Sequence, residues 1–309
     1  METVLQINNL TKKYNNNYAL KDVSLTLNKG DIYGLIGKNG AGKTTLIKLI
    51  TQLIHPSTGT IQLFGSQNQK ELTQALKFTG SVIETPAAYD HLSAADNLNY
   101  YCQLRGIVHP KQCIKESLEL VNLSDTQNKK FKDFSLGMKQ KLGIAIAILS
   151  KPDLLILDEP INGLDPLAIV EFRRLVKKLQ EEQGMTIIIS SHILSELYQV
   201  ANRFGILDQG QLIREISKQE FEHLSQDFIV LETPNIEKAS HIIQNEMNLK
   251  IKVIHQNLLH IFGQSHQVSQ IIQYLVKNNI EINGIYYSKQ NLETYFTDLI
   301  NIPKEVPHD

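Results

Sequence analysis

Runs of consecutive apolar residues alternate with helix-length segments through the larger, N-terminal part of the chain. Four such runs, rich in leucine and β-branched residues, lie at Ile32 to Ile36, Ser81 to Ile83, Leu154 to Leu157 and Thr186 to Ser190. Apolar residues on successive positions, rather than on alternate ones, are typical of strands buried on both faces of a sheet. The pattern therefore predicts an α/β fold with a largely parallel sheet.

Helical spacing replaces the strand pattern between Glu84 and Ser150. Apolar residues recur about three or four positions apart in two segments of this stretch: Leu118, Val121 and Leu123 in the first, and Leu142, Ala145, Ile146 and Leu149 in the second. Such spacing places the side chains on one face of a helix. We expect a helical insert at about residues 85–150 within the α/β domain.

The pattern changes again after the strand–turn–strand segment of residues 205–213, and we place a domain boundary there. The first domain is predicted at residues 1–219 and the second at 220–309. The second has the order strand, helix, strand, strand, helix, strand, at Phe228 to Glu232, Ile236 to Met247, Ile251 to His255, Leu258 to Phe262, Val268 to Val276 and Ile280 to Tyr287. This order is that of the ferredoxin-like fold. A further helix is predicted at Leu292 to Ile300.

Both helices predicted early in the second domain have an apolar face. The first face consists of Ile236, Ala239, Ile242, Ile243 and Met247, and the second of Val268, Ile271, Ile272, Leu275 and Val276. This arrangement indicates amphipathic helices that pack on a sheet. The histidines of this domain show no metal-ligand spacing, and our hypothesis for its role is a dimer contact or a regulatory one.

Composition excludes several functional classes. The 309 residues carry a formal net charge of −1, which gives no general attraction to nucleic acid or anionic lipid, so we expect no nucleic-acid partner. No apolar run reaches the ~18 residues of a membrane-spanning helix, so we expect a chain that does not cross a bilayer. The two cysteines, Cys102 and Cys113, lack disulfide or metal spacing, which is typical of cytosolic proteins.

A phosphate-binding motif follows the first apolar run. Residues 37–44 read Gly-Lys-Asn-Gly-Ala-Gly-Lys-Thr, and a helix-like run to Ile50 follows. A strand, a glycine loop and a helix in this order form a P-loop, whose backbone N–H groups converge on phosphates. Lys43 would bind the β- and γ-phosphates, and the Thr44 hydroxyl would bind Mg²⁺. The candidate phosphate-binding residues are Gly37, Asn39, Gly40, Ala41, Gly42, Lys43, Thr44 and Thr45.

Two acids end another apolar strand. Residues 154–157 run directly into Asp158 and Glu159. Because the carboxyl ends of parallel strands face the ligand crevice, both carboxylates are expected beside the phosphate site. We predict that Asp158 holds the metal, directly or through water, and that Glu159 accepts a proton from the attacking water or orients it. An acidic helix cap would account for one of these carboxylates but poorly for two.

A third motif narrows the class of nucleotide-binding protein. Residues 134–140 read Phe-Ser-Leu-Gly-Met-Lys-Gln, a segment that resembles the signature of ABC ATPases. The resemblance covers roughly residues 4–215. It implies a P-loop NTPase fold with a RecA-like parallel sheet, an antiparallel β portion and a helical insert, followed here by the small α+β ferredoxin-like domain. It also implies ATP and Mg²⁺ as ligands, and a homodimer in which Ser135 and Gly137 of one subunit contact the nucleotide on the other subunit's P-loop.

Further landmarks of the ABC family follow in the expected order. The resemblance identifies Tyr14 as the aromatic residue that stacks on adenine, residues 162–165 as the D-loop ending in Asp165, and His192 as the residue that contacts the γ-phosphate and helps to align the attacking water. Taken singly, a histidine after a strand is more often structural, and a lone tyrosine is more often core or surface. Their order along the chain supports the functional interpretation.

Two features depart from the usual family pattern. Leu136 and Met138 stand where the signature usually has Gly and Gln, and Glu84 stands where the Q-loop usually has Gln. An ionised carboxylate at position 84 adds negative charge and accepts hydrogen bonds without donating them. Our hypothesis is that Glu84 still ligates Mg²⁺ when ATP closes the dimer. The catalytic candidates are Lys43, Glu84, Glu159 and His192, and the metal-binding candidates are Thr44, Glu84 and Asp158.

These departures and the second domain resemble the ATP-binding subunits of bacitracin-resistance and lantibiotic-immunity exporters. The resemblance implies an ATPase that powers a separate integral-membrane permease from the cytoplasmic face of the membrane. One alternative is an ABC exporter for another cargo, such as sodium, a lipid or a polysaccharide. Another is an ABC ATPase that acts on ribosomes or DNA, although such proteins usually carry two cassettes or long coiled-coil insertions, and this sequence has one cassette and no heptads.

Overall fold

The computed structural model describes residues 2–126, 128–224 and 228–288. The chain divides into two compact units, Met1–Lys218 and Gln219–Asp309, and each is described by itself below. Within the described residues, no helix combines the length and the apolar character that crossing a membrane requires. The helix predicted at Leu292 to Ile300 lies outside the described residues.

The first unit begins with a pair of long strands and then alternates between strands and helices. In chain order its elements are β1 Thr3–Tyr14, β2 Asn17–Asn28, β3 Ile32–Ile36, α1 Lys43–Ile50, β4 Thr58–Leu63, α2 Gln69–Ala75, β5 Thr79–Val82, α3 Ala94–Leu104, α4 Pro110–Leu120, α5 Leu136–Ile148, β6 Leu154–Asp158, α6 Pro166–Gln183, β7 Thr186–Ser191, α7 Leu194–Tyr198, β8 Arg203–Asp208 and β9 Gln211–Ser217. Short 3₁₀ helices lie at Leu76–Phe78, Ser124–Thr126 and Phe131–Asp133.

The larger sheet has the strand order β5-β6-β7-β3-β8-β9 and is parallel except at the β8–β9 pair. Every residue of β3, β6 and β7 is buried, which confirms for these three strands the prediction of burial on both faces. The same prediction is wrong for β5, in which Ser81 is exposed. The predicted strand at Ser81 to Ile83 is shifted, since β5 begins at Thr79 and ends at Val82. Because β3, β6 and β7 are parallel, the loops that follow them meet at one edge of the sheet.

A smaller antiparallel sheet has the order β2-β1-β4. Its apolar residues, among them Leu5, Ile7 and Leu25, share one buried core with Leu46 and Ile47 of α1. This sheet is the antiparallel portion that the family resemblance implied. It packs against the helix that begins at the P-loop, and thereby supports that loop from one side.

Helices α3, α4 and α5 separate β5 from β6, which confirms the predicted helical insert. α3 begins with a capping box, in which the Ser93 hydroxyl accepts a hydrogen bond from the Asp96 backbone N–H and the Asp96 side chain bonds back to Ser93. Residues 142–148 of α5 are all buried. α5 is therefore the central helix of the insert, and its first turn carries the signature motif.

The second unit has the predicted ferredoxin-like order. After α8, Lys218–Leu224, which starts at the last residue of the first unit, its elements are β10 Phe228–Glu232, α9 Ile236–Asn245, β11 Lys250–His255, β12 Leu258–Phe262, α10 Val268–Lys277 and β13 Gly284–Ser288. The four strands are antiparallel in the order β11-β12-β10-β13. The core lies between the sheet and the buried faces of α9 and α10.

Two details of the second unit differ from the sequence prediction. Val276 was placed on the apolar face of α10 but is 58% exposed, because it lies about 100° around the helix from the buried Leu275. The last strand was expected from Ile280 but begins at Gly284. Ile280 is nevertheless buried in the core, which explains why its apolar character resembled the start of a strand.

Candidate functional site

The loop between β3 and α1 curls tightly around its glycines. A Cβ atom on Gly37 would lie 2.5 Å from the carbonyl oxygen of Leu207, and one on Gly42 would lie 2.8 Å from the carbonyl oxygen of Ala19. Gly40 and Gly42 have left-handed φ angles of 83° and 109°, a conformation that favours glycine. The spacing of these glycines therefore shapes a loop whose backbone is open to a ligand.

Lys43 is the first residue of α1, and its ammonium group is buried beneath this loop. The residue is 5% exposed. Nζ donates hydrogen bonds to the carbonyl oxygens of Gly37 at 2.6 Å and Lys38 at 3.2 Å, and it forms an ion pair with Glu159 Oε1 at 3.1 Å. A cation buried beside the positive end of a helix is costly unless anions compensate it. Its position indicates an anion-binding site.

A cavity of about 370 Å³ opens over the P-loop. It is lined by Tyr18, Ala19, Asn39, Gly40, Gly42, Lys43, Thr44, Thr45, Glu159, Gln209 and Gly210. A Cβ atom on Gly40 would meet nothing within 4 Å, so the backbone is accessible there. The glycine loop, the helix N-terminus and Lys43 fit the phosphates of a nucleotide. Gly37 and Ala41, two of the predicted phosphate-binding residues, do not line this cavity. The Gly37 carbonyl accepts a hydrogen bond from Lys43, and Ala41 is buried.

Tyr14 and Tyr18 are placed differently with respect to this cavity. Tyr14 ends β1, is exposed, and has Lys12 Nζ 4.9 Å from its ring centroid. Tyr18 lines the cavity, and the ammonium groups of Lys13 and Lys21 lie 5.1 and 5.9 Å from its ring centroid. Among the described residues, the aromatic side chain that this hairpin brings to the cavity wall is therefore Tyr18, whereas sequence comparison with the family had identified Tyr14.

The acidic pair lies at the carboxyl end of β6, and a serine from the adjacent strand holds both members. Ser190 Oγ, on β7, donates a hydrogen bond to Asp158 Oδ1 at 2.6 Å and accepts one from the Glu159 backbone N–H at 2.9 Å. Glu159 has a left-handed φ of 48°, which is unfavourable for a residue with a side chain. The hydrogen bond that the Glu159 N–H donates to Ser190 stabilises this backbone conformation and so fixes the direction of the Glu159 carboxylate.

The Glu159 carboxylate bridges two other predicted site residues. Oε1 faces Lys43 at 3.1 Å, and Oε2 lies 2.9 Å from His192 Nδ1. Oε1 has no hydrogen-bond partner in the described structure, so its contact with Lys43 is an ion pair only. A neutral His192 that donates from Nδ1 has Nε2 as an acceptor. The structure thus brings together an ammonium group, a carboxylate and an imidazole, and a carboxylate or an imidazole is the kind of group that acts as a general base.

A second cavity, of about 480 Å³, shares the lining residues Thr44 and Glu159 with the first. Thr44, Glu84, Asp158 and Glu159 all line it, together with Thr85, Pro86, Phe131, Leu136, Lys139, Gln140 and Asn162. A hydroxyl and several carboxylates form an oxygen-only donor set, which suits Mg²⁺. No group of three or more His, Cys, Asp or Glu side chains in the described ranges is arranged to hold a metal alone. Mg²⁺ usually takes only one or two protein carboxylates with substrate phosphates and water, so the residues present fit it.

Glu84 follows β5 and makes an ion pair that the sequence did not predict. Its Oε1 lies 2.7 Å from Lys48 Nζ, on the helix that begins at the P-loop. This hydrogen bond with Glu84 raises the pKa of Lys48 above its ordinary value, and the charge of Asp158 acts in the same direction. Glu84 also has a left-handed φ, of 61°. The carboxylate at the Q-loop position is therefore directed toward α1.

The signature and D-loop residues cap helices. Ser135 Oγ accepts a hydrogen bond from the Met138 N–H at the start of α5, and Asp165 Oδ1 accepts one from the Ala168 N–H at the start of α6. A Cβ atom on Gly137 would lie 3.2 Å from that of Ala168, so the two helix starts are neighbours. Ser135, Gly137 and Asp165 line neither cavity. Within the described parts of one chain, the structure does not bring them to the P-loop cavity.

Sequence reasoning missed three residues of this site. Ser190 was noted only as part of the segment before His192, although a hydroxyl at the end of a strand beside the acidic strand was a usable signal. Lys48 is four residues after Thr44, and this helical spacing places both on one face of α1. Tyr18 had no distinguishing signal, because its place in the cavity depends on how β2 pairs with β1.

Comparison with known proteins supports membership of the ABC family. A family model described as ABC transporter matches residues 20–162. The bacitracin transport ATP-binding protein BcrA of Enterococcus faecalis is 40% identical over 300 residues, which are 97% of this chain and 97% of that protein. The lantibiotic transport ATP-binding protein SrtF of Streptococcus pyogenes is 41% identical over 225 residues, 73% of this chain and 96% of that protein.

A solved structure extends the similarity to the fold. A dimeric ATP-binding cassette in a post-hydrolysis state, bound to ADP and phosphate, is 25% identical, with a TM-score of 0.63 over 69% of this chain and 98% of that one. Three observations agree: the fold is shared, the glycine loop lies beside a buried lysine, and relatives match nearly the whole chain. The chain belongs to the ATP-binding subunits of ABC transporters.

Proposed function

We propose that the chain hydrolyses ATP at the P-loop cavity. The backbone N–H groups of the glycine loop and the ammonium group of Lys43 bind the β- and γ-phosphates, with Asn39 and Thr45 at the wall of the same cavity. Phosphate oxygens give Lys43 stronger partners than the loop carbonyls that it contacts in the structure. Tyr14 and Tyr18, from one hairpin, are the candidates for stacking on adenine.

Glu159 is the proposed general base, and its geometry is the single observation that carries the proposal. Its carboxylate contacts the phosphate-binding Lys43 on one side and His192 on the other, so a water beside the γ-phosphate lies within its reach. His192 orients the carboxylate through Nδ1 and helps to align the water. Ser190 fixes the Glu159 backbone, which limits how far the base can move.

Thr44, Asp158 and Glu84 are the proposed metal-binding residues. They line one cavity that adjoins the P-loop, and each offers an oxygen donor. Mg²⁺ bound there would neutralise charge on the phosphate oxygens as the bond to the γ-phosphate breaks. Ser190 holds the Asp158 carboxylate in place through its 2.6 Å hydrogen bond, and Asp158 lines this cavity.

We also propose that two copies of the chain bind ATP between them. In one chain, Ser135 and Gly137 lie outside the P-loop cavity, at the N-terminus of α5. A helix start with a serine cap is a ready site for a phosphate, and a two-fold axis would bring it to the partner's nucleotide. Asp165, at the neighbouring start of α6, would lie in the same interface. The dimeric cassette among the similar structures supports this arrangement.

We propose that ATP hydrolysis by the dimer powers a separate permease that exports peptide antibiotics. The support is similarity over 97% of the chain to a bacitracin transport ATP-binding protein and over 73% to a lantibiotic transport ATP-binding protein. The chain would act at the cytoplasmic face of the membrane, as its similarity to transport ATP-binding proteins implies. The helical insert, with the Glu84 loop at its base, is the proposed contact with the permease.

The second unit is proposed to be an accessory domain. The division of the chain between Lys218 and Gln219 supports a domain boundary near the predicted one, at residues 219–220. A ferredoxin-like fold alone specifies no activity. Its role is proposed to be a dimer contact or a regulatory one.

Drug susceptibility tests the transport proposal. The chain and its permease partner, identified by co-purification, are expressed in a bacitracin-sensitive host, and minimal inhibitory concentrations of bacitracin and a lantibiotic are measured. We expect raised resistance to at least one drug with the wild-type pair and no increase with Glu159→Gln. Glu182→Gln, an exposed glutamate on α6, is the matched control. Unchanged resistance to both drugs, with ATPase activity that depends on Glu159, would refute the cargo and leave the ATPase proposal intact.

A further inference from the structure

The helix that begins at the P-loop also holds the Glu84 loop. Thr44 and Lys48 are four residues apart on α1, so their side chains point to the same side of the helix. Thr44 lines the cavity proposed for the metal, and Lys48 Nζ lies 2.7 Å from Glu84 Oε1. One turn of α1 therefore carries a proposed metal-binding hydroxyl and a cation that binds a proposed metal-binding carboxylate.

Each of the three acids of this region has its own partner in the structure. Glu159 pairs with Lys43, Asp158 accepts a hydrogen bond from Ser190, and Glu84 pairs with Lys48. The charge of Asp158 also acts on the Lys48 ammonium group. Lys48 therefore lies in the field of two carboxylates that are proposed to bind one metal ion. A fixed cation in that position competes with the metal for the same negative charge.

The Lys48–Glu84 ion pair contributes little to the stability of the fold, so Glu84 can exchange Lys48 for another cation. The Lys48 side chain is 34% exposed and that of Glu84 is 62% exposed. Ion pairs between such exposed groups contribute little to stability and are easily broken. The pair nevertheless determines where the carboxylate points. A carboxylate held by a weak partner beside a metal site can change partner without disturbing the core.

The Glu84 loop packs directly on the signature helix. Pro86, two residues after Glu84, lies so close to Gly143 of α5 that a Cβ atom there would be 2.8 Å from Pro86 Cβ. α5 begins at the serine-capped segment proposed to meet the partner's nucleotide. A movement of the loop toward the metal site would thus act on the helix that carries the dimer contact.

We propose that Lys48 is a positioning residue that holds the Glu84 carboxylate and competes with Mg²⁺ for it. Lys48 thereby sets the Mg²⁺ concentration at which the chain binds ATP. Removal of Lys48 leaves Glu84 available to the metal, and the chain then needs less Mg²⁺. This inference rests on the metal-binding role proposed for Glu84, and the experiment below separates the two.

Nucleotide binding at varied Mg²⁺ concentration tests the inference. All chains carry Glu159→Gln to prevent hydrolysis, and the binding of a fluorescent ATP analogue is titrated with MgCl₂. We expect Lys48→Gln to lower the half-saturating Mg²⁺ concentration about fivefold, the scale of one exposed ion pair. Glu84→Gln should raise it. Adding Lys48→Gln to Glu84→Gln should then lower it by much less than fivefold, because only the charge of Asp158 remains for Lys48 to compete for. Lys48→Arg, which keeps the pair, should titrate like the parent.

The outcomes distinguish the proposed metal-binding role of Glu84 from the proposed positioning role of Lys48. If Glu84→Gln leaves the Mg²⁺ requirement unchanged, the charge of the Glu84 carboxylate has no part in metal binding, and the inference falls with it. Glu84→Ala, which also removes the oxygen donor, then shows whether position 84 ligates the metal at all. If Glu84→Gln raises the requirement but Lys48→Gln has no effect, or has the same effect with either residue at position 84, only the role of Lys48 is refuted. The exchanged pair, Lys48→Glu with Glu84→Lys, keeps an ion pair but places a cation at position 84, so it should raise the Mg²⁺ requirement at least as much as Glu84→Gln does.

Discussion

At the scale of single residues, the site is a set of charges that the fold holds in positions they would not adopt alone. Lys43 is a cation that is almost entirely buried, and Glu159 has a left-handed backbone. Each is stabilised by the other and by a neighbouring polar group: loop carbonyls for Lys43 and Ser190 for Glu159. Such costly arrangements are concentrated at functional sites, and these two occur where the cavity opens.

Replacing Lys43 should weaken nucleotide binding more than it destabilises the fold. Lys43→Ala removes a charged hydrogen-bond donor from the phosphates, which weakens ATP binding about 10- to 100-fold. Isothermal titration calorimetry with ATP measures the change. The matched control is Lys177→Ala, because Lys177 is exposed on α6 and should leave the affinity unchanged. Undiminished affinity in Lys43→Ala would contradict the phosphate-site assignment.

The residue-level chemistry was partly predictable. Motifs with fixed spacing, such as the P-loop and the acids after β6, could be located because their function depends on residues that are close in sequence. The partners of Ser190 and Lys48 could not be located in this way, because residues 48 and 84 meet only through folding, as do residues 158 and 190. Tyr18 was missed for the same reason.

At the scale of elements, burial decided which strands could be predicted. β3 is buried at every position and matches the predicted Ile32 to Ile36. β1 and β2 gave no strand prediction from periodicity, because their alternation is interrupted where the pairing shifts. Asn9 and Asp22 have left-handed φ angles near such shifts, and a bulge there moves the following side chains to the other face. The antiparallel sheet was expected only from family resemblance.

The capping box of α3 should make the stability of the helical insert depend on pH. Hydrogen bonds from Ser93 hold the pKa of Asp96 below its ordinary value. A carboxyl group whose pKa is lower in the folded chain stabilises it above the unfolded pKa, and this contribution is lost as the pH falls through the folded pKa. Ser93→Ala should therefore cost about 1 kcal/mol at pH 7 and less below about pH 4.

Thermal unfolding of the full chain from pH 7 down to about pH 2.5, a range that extends below the ordinary carboxyl pKa, measures this effect. Asp96→Asn is the control, because it keeps a hydrogen-bonding side chain at the third helical position but cannot titrate. The gap in melting temperature between Ser93→Ala and the wild type should narrow as the pH falls, whereas the gap for Ser93→Ala made in Asp96→Asn should not change. A gap that is independent of pH in both backgrounds would rule out a role for the Asp96 charge.

At the scale of the whole molecule, the P-loop cavity and the signature segment do not meet in one chain, although we propose that both bind the same nucleotide in a dimer. The P-loop cavity is lined by residues of the glycine loop, β2 and the turn at residues 209–210, and the serine-capped start of α5 is not part of it. A site completed by a second copy explains why the signature is exposed, since Ser135 and the neighbouring Leu136 are open to solvent. ATP would then favour the closed pair by contacting both chains.

Mixing two defective chains tests this arrangement. In chains that carry Glu159→Gln, neither Lys43→Ala nor Ser135→Arg alone should dimerise with ATP, because every composite site is damaged. A mixed dimer has one doubly damaged site and one intact site, formed by the P-loop of the Ser135→Arg chain and the serine of the Lys43→Ala chain. We therefore expect ATP to restore energy transfer between differently labelled chains only on mixing. If the signature instead acted on its own P-loop, every site in the mixture would be damaged, and mixing would restore nothing.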